Sequence, residues 1–141
     1  MASFIYNSAK GKLGDGSIDW NTDTIKMACV TSAYTPDQDA HEFFNAVTNE
    51  IGASGTYSTG GVTLTCSVTI DNTNNRAIYD AADVSITSFT GTFRYGIIYK
   101  STGVSSTSPL IAVIDFTGSN ITTTVGTFDV TWSTGGVFNL S

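Results

Sequence analysis

The sequence has few charged residues, and positive charge is especially scarce. Asp, Glu, Lys and Arg make up 13% of the 141 residues, against about 25% in an ordinary soluble domain. The net charge is −6, and the six cations are scattered: Lys10, Lys12, Lys26, Arg76, Arg94 and Lys100. A nucleic-acid-binding protein needs a basic stripe to neutralise phosphates, and an anionic membrane attracts basic segments. The sequence therefore argues against nucleic acid and membranes as partners.

The residues that usually carry catalysis or bind metals are also scarce. The single histidine, His41, has Asp39 and Glu42 beside it, but no second histidine or nearby cysteine completes a zinc site. A G-x-S-x-G nucleophile motif does not occur. Two carboxylate pairs of the kind a glycosidase uses lie in turn-like contexts: Asp80 with Asp83, and Asp37 with Asp39. We therefore expect a protein that is not an enzyme, with no catalytic, cofactor-binding or metal-binding residues.

The two cysteines, Cys29 and Cys66, both fall on the apolar side of an alternating segment. Two buried thiols fit this pattern. A disulfide would need a suitable spacing of the two Cβ atoms, which the sequence does not give, so both states stay open. The first 16 residues contain no long apolar run, so we expect neither a signal peptide nor a transmembrane segment, and synthesis in the cytoplasm.

Threonine, serine, asparagine and glycine supply the polar surface, and alternating segments predict β-strands. The segment VTLTCSVTI alternates almost perfectly, with an expected inward set of Val62, Leu64, Cys66, Val68 and Ile70. TIKMACVT and LIAVIDF are apolar on both faces, which predicts well-covered central strands. Turn signals recur every 8–12 residues. The fold class predicted is all-β, a single domain over 1–141 with a β-sandwich or jelly roll of about eight strands.

One short helix is predicted near residues 39–51. Phe43, Phe44, Val47 and Ile51 recur at helical spacing. Asp39 followed three residues later by Glu42 resembles a capping box, and Gly52 is a natural stop. Residues 4–13 are ambiguous between a short helix and an arm.

Aromatic residues are common, with 8 Phe, 6 Tyr and 2 Trp. Those within alternating strands are expected to fill the core. Phe4, Tyr6 and Trp20 lie outside clear strands. They are the candidates for contact with a partner, with local packing as the alternative.

Four stretches cover most of the chain and carry a resemblance: YNSAKGKLGDGSIDWNTDTIKMACVTSAYTPDQDAHEF, DNTNNRAIYDAADV, RYGIIYKSTGVSSTSPLIAVIDF and FDVTWSTGGVFNL. Each resembles part of a family of small structural proteins from tailed-phage genomes. Some members look like capsid cement proteins, which have a jelly-roll fold and clamp the outside of an icosahedral head, typically as dimers. The matches are many and short, so they indicate a family rather than a chemistry.

The resemblance implies a virion structural protein that decorates the outer surface of the capsid and stabilises it. The implied partners are the major capsid protein and further copies of the chain itself, as a homodimer. No catalytic residue or cofactor follows from it. The alternative function is a tail- or fibre-associated virion module that binds a host surface glycan. On either reading the protein is made in the host cytoplasm.

Overall fold

A computed structural model describes residues 3–141 of the chain. In this range there are one α-helix and ten strands, and all strand pairs are antiparallel. The helix is α1 (Asn7–Asp15), and the strands are β1 (Phe4–Ile5), β2 (Ile25–Val30), β3 (Val62–Thr63), β4 (Cys66–Asp71), β5 (Arg76–Ala81), β6 (Val84–Phe93), β7 (Tyr95–Lys100), β8 (Leu110–Asp115), β9 (Ile121–Val130) and β10 (Phe138–Leu140). The predicted all-β sandwich is confirmed.

The largest sheet has five strands in the order β1-β8-β7-β2-β3. Its three central strands, β8, β7 and β2, are buried along most of their length. Because a strand covered on both faces reads as a nearly continuous apolar run, the apolar segments TIKMACVT and LIAVIDF predicted this correctly. The sheet forms the centre of the core.

Two smaller sheets complete the sandwich. A three-stranded sheet in the order β10-β5-β4 joins the large core cluster through buried Trp20, Ala81 and Phe138. A long two-stranded ribbon, β6-β9, packs over a second and smaller cluster. The buried members of the smaller cluster are Cys29, Ile51, Tyr57, Ile86, Phe89 and Phe93.

The prediction of a helix near residues 39–51 is wrong. That segment contains a single 3-10 turn at Phe44–Ala46, and otherwise lacks helix. Its backbone groups bond to other parts of the chain instead. The first N–H of the turn donates to the carbonyl of Ser108 (2.8 Å), and the N–H of Ile51 donates to the carbonyl of Cys29 (3.1 Å). Tertiary pairing has therefore overridden the local helical pattern.

The apolar residues at helical spacing are divided between the two core clusters. Phe44 stacks on Tyr99 with ring centroids 4.0 Å apart, in the larger cluster. Ile51 is buried in the smaller cluster beneath the β6-β9 ribbon. A helix would have placed both side chains on one face, where they could not reach two separate cores.

The helix of the described structure lies instead at α1, in the segment that the sequence left ambiguous. Ala9 is completely buried, and α1 packs on β8. The Lys12 ammonium contacts the Glu42 carboxylate at 2.5 Å, and Asn7 Nδ2 donates to Asp39 Oδ1 at 2.5 Å. Packing and these two contacts thus hold a helix whose own sequence, rich in glycine, favours helix weakly.

No helix within residues 3–141 is long and apolar enough to cross a membrane.

Candidate functional site

The three aromatic residues predicted to contact a partner do not form an exposed surface. Tyr6 is 0% exposed and Trp20 is 2% exposed, so the prediction of partner contact is wrong for these two side chains. Phe4 is half-buried and packs edge-on against Tyr6, with centroids 5.3 Å apart. The alternative of local packing therefore holds for Tyr6 and Trp20.

Tyr6 is enclosed in a hydrogen-bonded group. Its hydroxyl lies 3.0 Å from that of Tyr34, which in turn lies 2.9 Å from Nδ1 of His41. Burial, followed by the hydrogen bond to Tyr34, raises the pKa of Tyr6 far above its usual range. The hydroxyl therefore stays neutral and serves packing, and the single histidine of the chain is engaged in the same group.

Trp20 packs against one face of the three-stranded sheet. Its indole Nε1 donates to the carbonyl of Asp80 at 2.9 Å. Its rings meet those of Phe138 and Tyr79 edge-on, at centroid distances of 5.1 and 6.4 Å. Tyr79 and Phe138 stack on each other at 4.7 Å. Trp20 thus attaches strands β5 and β10 to the rest of the molecule.

Strand β4 departs most clearly from its sequence pattern. Alternation predicted that Val68 and Ile70 point into the core, but Val68 is 37% exposed and Ile70 is 70% exposed. Leu64, in the same alternating set, is buried as predicted. The far end of β4 therefore has the pattern of a covered strand but lacks a cover among residues 3–141.

The exposed residues of β4 continue an apolar row across the sheet. Val68 pairs with Tyr79, which pairs with Phe138. Two residues further along, Ile70 pairs with Ala77, which pairs with Leu140. Residues two apart share a sheet face, so both rows lie on one side. We call the accessible part of this face the apolar platform, and it comprises Val68, Ile70, Ala77, Tyr79 and Leu140.

A groove runs between the platform and the end of α1. It has a volume of about 340 Å³ and is mostly apolar. Its lining residues, here called the apolar groove, are Ile5, Lys10, Leu13, Gly14, Tyr79, Phe138 and Leu140. An adjoining hollow of about 280 Å³ shares Leu13 and Tyr79 with it. Leu140, which is 55% exposed, stands where the groove meets the platform.

The outer edge of β4 is open, since β4 pairs only with β5 within the described range. The N–H of Ala82 donates to the carbonyl of Thr65 at 2.9 Å, which makes 65 and 82 a hydrogen-bonded pair. Bonded and non-bonded pairs alternate in an antiparallel ladder. The backbone groups of Cys66, Val68 and Ile70 therefore point away from β5, towards the open edge.

Two of the carboxylates considered as members of catalytic pairs already accept hydrogen bonds from backbone N–H groups. Asp37 accepts hydrogen bonds from the N–H groups of Asp39 and Ala40, both at 3.0 Å, and these bonds lower its pKa. Asp83 accepts from the N–H of Trp132 at 3.1 Å. Over residues 3–141 there is no group of three or more His, Cys, Asp or Glu side chains placed to hold a metal ion.

Glu50 is a carboxylate that sequence reasoning missed, and it binds two groups of the loop that follows it. One oxygen, Oε1, accepts from the hydroxyl of Tyr57 at 2.8 Å and from the N–H of Gly60 at 2.6 Å. The Tyr57 hydroxyl also accepts from the N–H of Cys29 at 2.8 Å. Burial raises the pKa of Tyr57 well above its usual range. These groups tie the 50–60 loop to β2.

Comparisons were made with protein-family models, curated protein sequences and solved structures. None of the three finds a match.

Both cysteines are free thiols, Cys29 buried and Cys66 partly exposed. Burial, and next the charge of Asp80, raises the pKa of Cys66 to about 12, and burial with the charge of Glu50 raises that of Cys29 to about 12. The thiolate is the reactive form, and at pH 8 a pKa of 12 leaves a fraction on the order of one in ten thousand.

We therefore expect iodoacetamide to leave Cys29 and Cys66 unmodified in the native protein at pH 8, and to modify both in urea. Mass spectrometry of the intact chain measures this, and the native rate should be at least ~100-fold below the unfolded rate. Rapid native labelling of Cys66 would contradict the burial of its thiol. A reducing agent should leave the melting temperature unchanged, because no disulfide is present to break.

Proposed function

We propose that this chain is a structural protein of a tailed-phage particle, a capsid decoration protein that binds the outside of the icosahedral head and stabilises it. Its partners are the major capsid protein and a second copy of itself. The observation that carries the proposal is the apolar platform with its adjoining apolar groove. Both are apolar surfaces left open beside the packed rings of Trp20, Tyr79 and Phe138.

Contiguous exposed apolar surface on a soluble protein marks contact with another macromolecule more often than turnover of a small substrate. Here the exposed side chains sit on a hydrogen-bonded three-stranded sheet, with Ile70 at 70% and Leu140 at 55% exposed. A rigid apolar face buries without ordering new segments, so little of its binding free energy is lost to entropy. These features support a protein neighbour.

The charge of the chain supports an outer location. The net charge of −6 is repelled by packaged DNA, which makes the outside of a head more favourable than the inside. A protein that binds the assembled shell and not its separated subunits shifts the equilibrium towards the shell by mass action. A small free energy at each of many symmetric sites is then sufficient for stabilisation.

Imaging of purified particles by electron cryomicroscopy tests the proposal. We expect density for this protein at symmetric positions over the outside of the head, and particles depleted of it should release DNA at a lower temperature. A few copies confined to the tail would contradict the head location. Unchanged heat resistance after depletion would contradict the stabilising role.

A pair of matched variants connects that experiment to the apolar groove. Leu140→Asp places a charge where the groove meets the platform and should reduce occupancy on depleted heads at least ~10-fold, because a buried unpaired carboxylate is costly. Val125→Asp is the control, since Val125 is 75% exposed on β9, away from the groove. Equal binding by both variants would exclude the groove as the contact surface.

A glycan-binding tail module is the second candidate, and one hollow favours it. Phe44 and Tyr99 stack at 4.0 Å beside a hollow of about 250 Å³. The hollow is also lined by Ser101, Ser105 and Lys26, and hydroxyls next to an aromatic ring suit a sugar. The same imaging separates the candidates, because a glycan-binding module belongs on the tail in few copies.

A further inference from the structure

The open edge of β4 lacks the features by which natural proteins protect exposed strands. Such edges usually carry a lysine, a proline or a bulge, or are very short. Strand β4 has six residues and contains neither lysine nor proline. Its one charged residue, Asp71, is at its last position, and the strand pairs with β5 in a continuous register without a shift. The other edge of the same sheet, β10, has only three residues. The β4 edge is thus the better template for a further strand.

The sequence of β4 is complementary to itself in one antiparallel register. The groups pointing outward belong to Cys66, Val68 and Ile70, as deduced above from the bond between Ala82 and Thr65. If Val68 faces Val68 of a second copy, then Cys66 faces Ile70 and Ile70 faces Cys66. Each facing pair makes two hydrogen bonds, so all the outward backbone groups of both strands are satisfied by about six bonds.

Side chains also match in this register. Apolar residues face apolar ones on the platform side, as just described. On the opposite face Ser67 meets Thr69 of the second copy, and Asp71 meets Thr65. Asp71 is already paired with Arg76, whose Nε lies 2.9 Å from its Oδ2. No like charges stand directly opposite each other, an arrangement that would destabilise a sheet.

The pairing also gives a closed dimer with two-fold symmetry. A two-fold axis perpendicular to the sheet, passing between the two Val68 residues, makes one continuous six-stranded sheet in the order β10-β5-β4-β4-β5-β10. Such an interface uses the same patch on both copies and leaves no repeat to propagate into a fibre. It also places both apolar platforms on the same side of the joined sheet.

We infer that the chain forms a two-fold homodimer through antiparallel pairing of the β4 edges, centred on Val68. This deepens the proposed self-association, on which it rests, but it does not depend on attachment to a capsid. The experiment uses the isolated 141-residue chain without capsids, so its failure and the failure of head binding are distinguishable.

Substitution at the centre of the seam gives the sharpest test. In Val68→Lys, two ammonium groups meet across the axis, and the dimer dissociation constant should rise at least ~10-fold. Val68→Glu should do the same. An equimolar mixture of the Lys and Glu variants should restore dimers, because opposite charges then face each other. Val125→Lys is the matched control on an exposed valine of β9 and should stay dimeric.

Sedimentation and light scattering measure the mass, and circular dichroism confirms that each variant is folded. A wild-type dimer, monomeric Val68 variants and recovery on mixing would support the inference. A wild-type chain that stays monomeric up to ~100 µM, a range in which specific dimers form, would overturn it. So would Val68→Lys dimers as tight as wild type, equal disruption by Val125→Lys, or no recovery in the mixture.

Discussion

Replacing Trp20 with alanine is expected to lower the free energy of unfolding by about 3–5 kcal/mol, the usual cost of truncating a buried tryptophan. Trp20 is 2% exposed, and its loss removes the edge-on contacts to Tyr79 and Phe138. It also leaves the Asp80 carbonyl without the indole donor at 2.9 Å. Since a domain of this size is stable by only about 5–15 kcal/mol, this is a large fraction.

Urea unfolding followed by far-ultraviolet circular dichroism measures the effect, and the second tryptophan supplies the control. Trp132 is only half-buried and also donates to a backbone carbonyl, that of Ala82 at 3.2 Å. Trp132→Ala should therefore cost clearly less than Trp20→Ala. Trp20→Phe should fall between wild type and Trp20→Ala, because it keeps an aromatic ring but loses the hydrogen bond. Equal losses at the two tryptophans would show that Trp20 is not the attachment of the three-stranded sheet.

Gly61→Ala is expected to reduce stability by about 3 kcal/mol or more, or to prevent folding, through two combined effects. The residue has φ +97°, a left-handed conformation that costs a side chain roughly 1–2 kcal/mol. In addition, a Cβ here would lie 2.1 Å from the carbonyl oxygen of Met27 on β2. That atom belongs to backbone, so the clash is relieved only by moving β3 away from β2.

Gly103→Ala isolates the first effect, the cost of the left-handed φ. Gly103 also has a left-handed φ, +85°, but a Cβ there would have nothing within 4 Å. It should cost only the conformational part, about 1 kcal/mol. Soluble yield and the urea midpoint measure both variants. If the two glycines prove equally tolerant, β3 is not held against β2 as tightly as the register of Met27 with Val62 indicates.

The sequence was most informative where a pattern reported burial on both faces. TIKMACVT and LIAVIDF became β2 and β8 of the central sheet because a doubly covered strand admits few polar side chains. Alternation was less informative, because it states that a strand has two unlike faces without stating what covers the apolar one. The far end of β4, at Val68 and Ile70, has the right pattern and an open surface.

Helical spacing was misleading over 39–51 for a similar reason. Phe44 and Ile51 are apolar because each enters a core, but they enter different cores. The spacing of apolar residues along a sequence does not show whether their side chains lie on one helix face or enter two separate clusters. The helix that does form, α1, is held by Ala9 against β8 and by contacts to the 37–42 loop, which are tertiary and invisible to local propensity.

The candidate site was missed because aromatic residues outside strands were given priority. Tyr6 and Trp20 are large and lie in irregular or helical surroundings, yet large aromatic side chains contribute most to a core when they are enclosed. The exposed surface is made by smaller aliphatic residues at strand ends. Ile70 is the next-to-last residue of β4, and Leu140 is the last residue of β10. At the ends of these strands no other part of residues 3–141 packs over the apolar side chains, which therefore stay exposed.

The division of the interior into two clusters has a mechanical consequence for the β6-β9 ribbon. The ribbon has no third strand among the described residues. Its buried β6 side chains belong to the smaller cluster around Cys29 and Tyr57, and Val130 of β9 joins the larger one. Cooperative units of a protein open separately when few buried contacts join them. We therefore expect the β6-β9 ribbon to deform more easily than the five-stranded sheet and the three-stranded sheet packed against it.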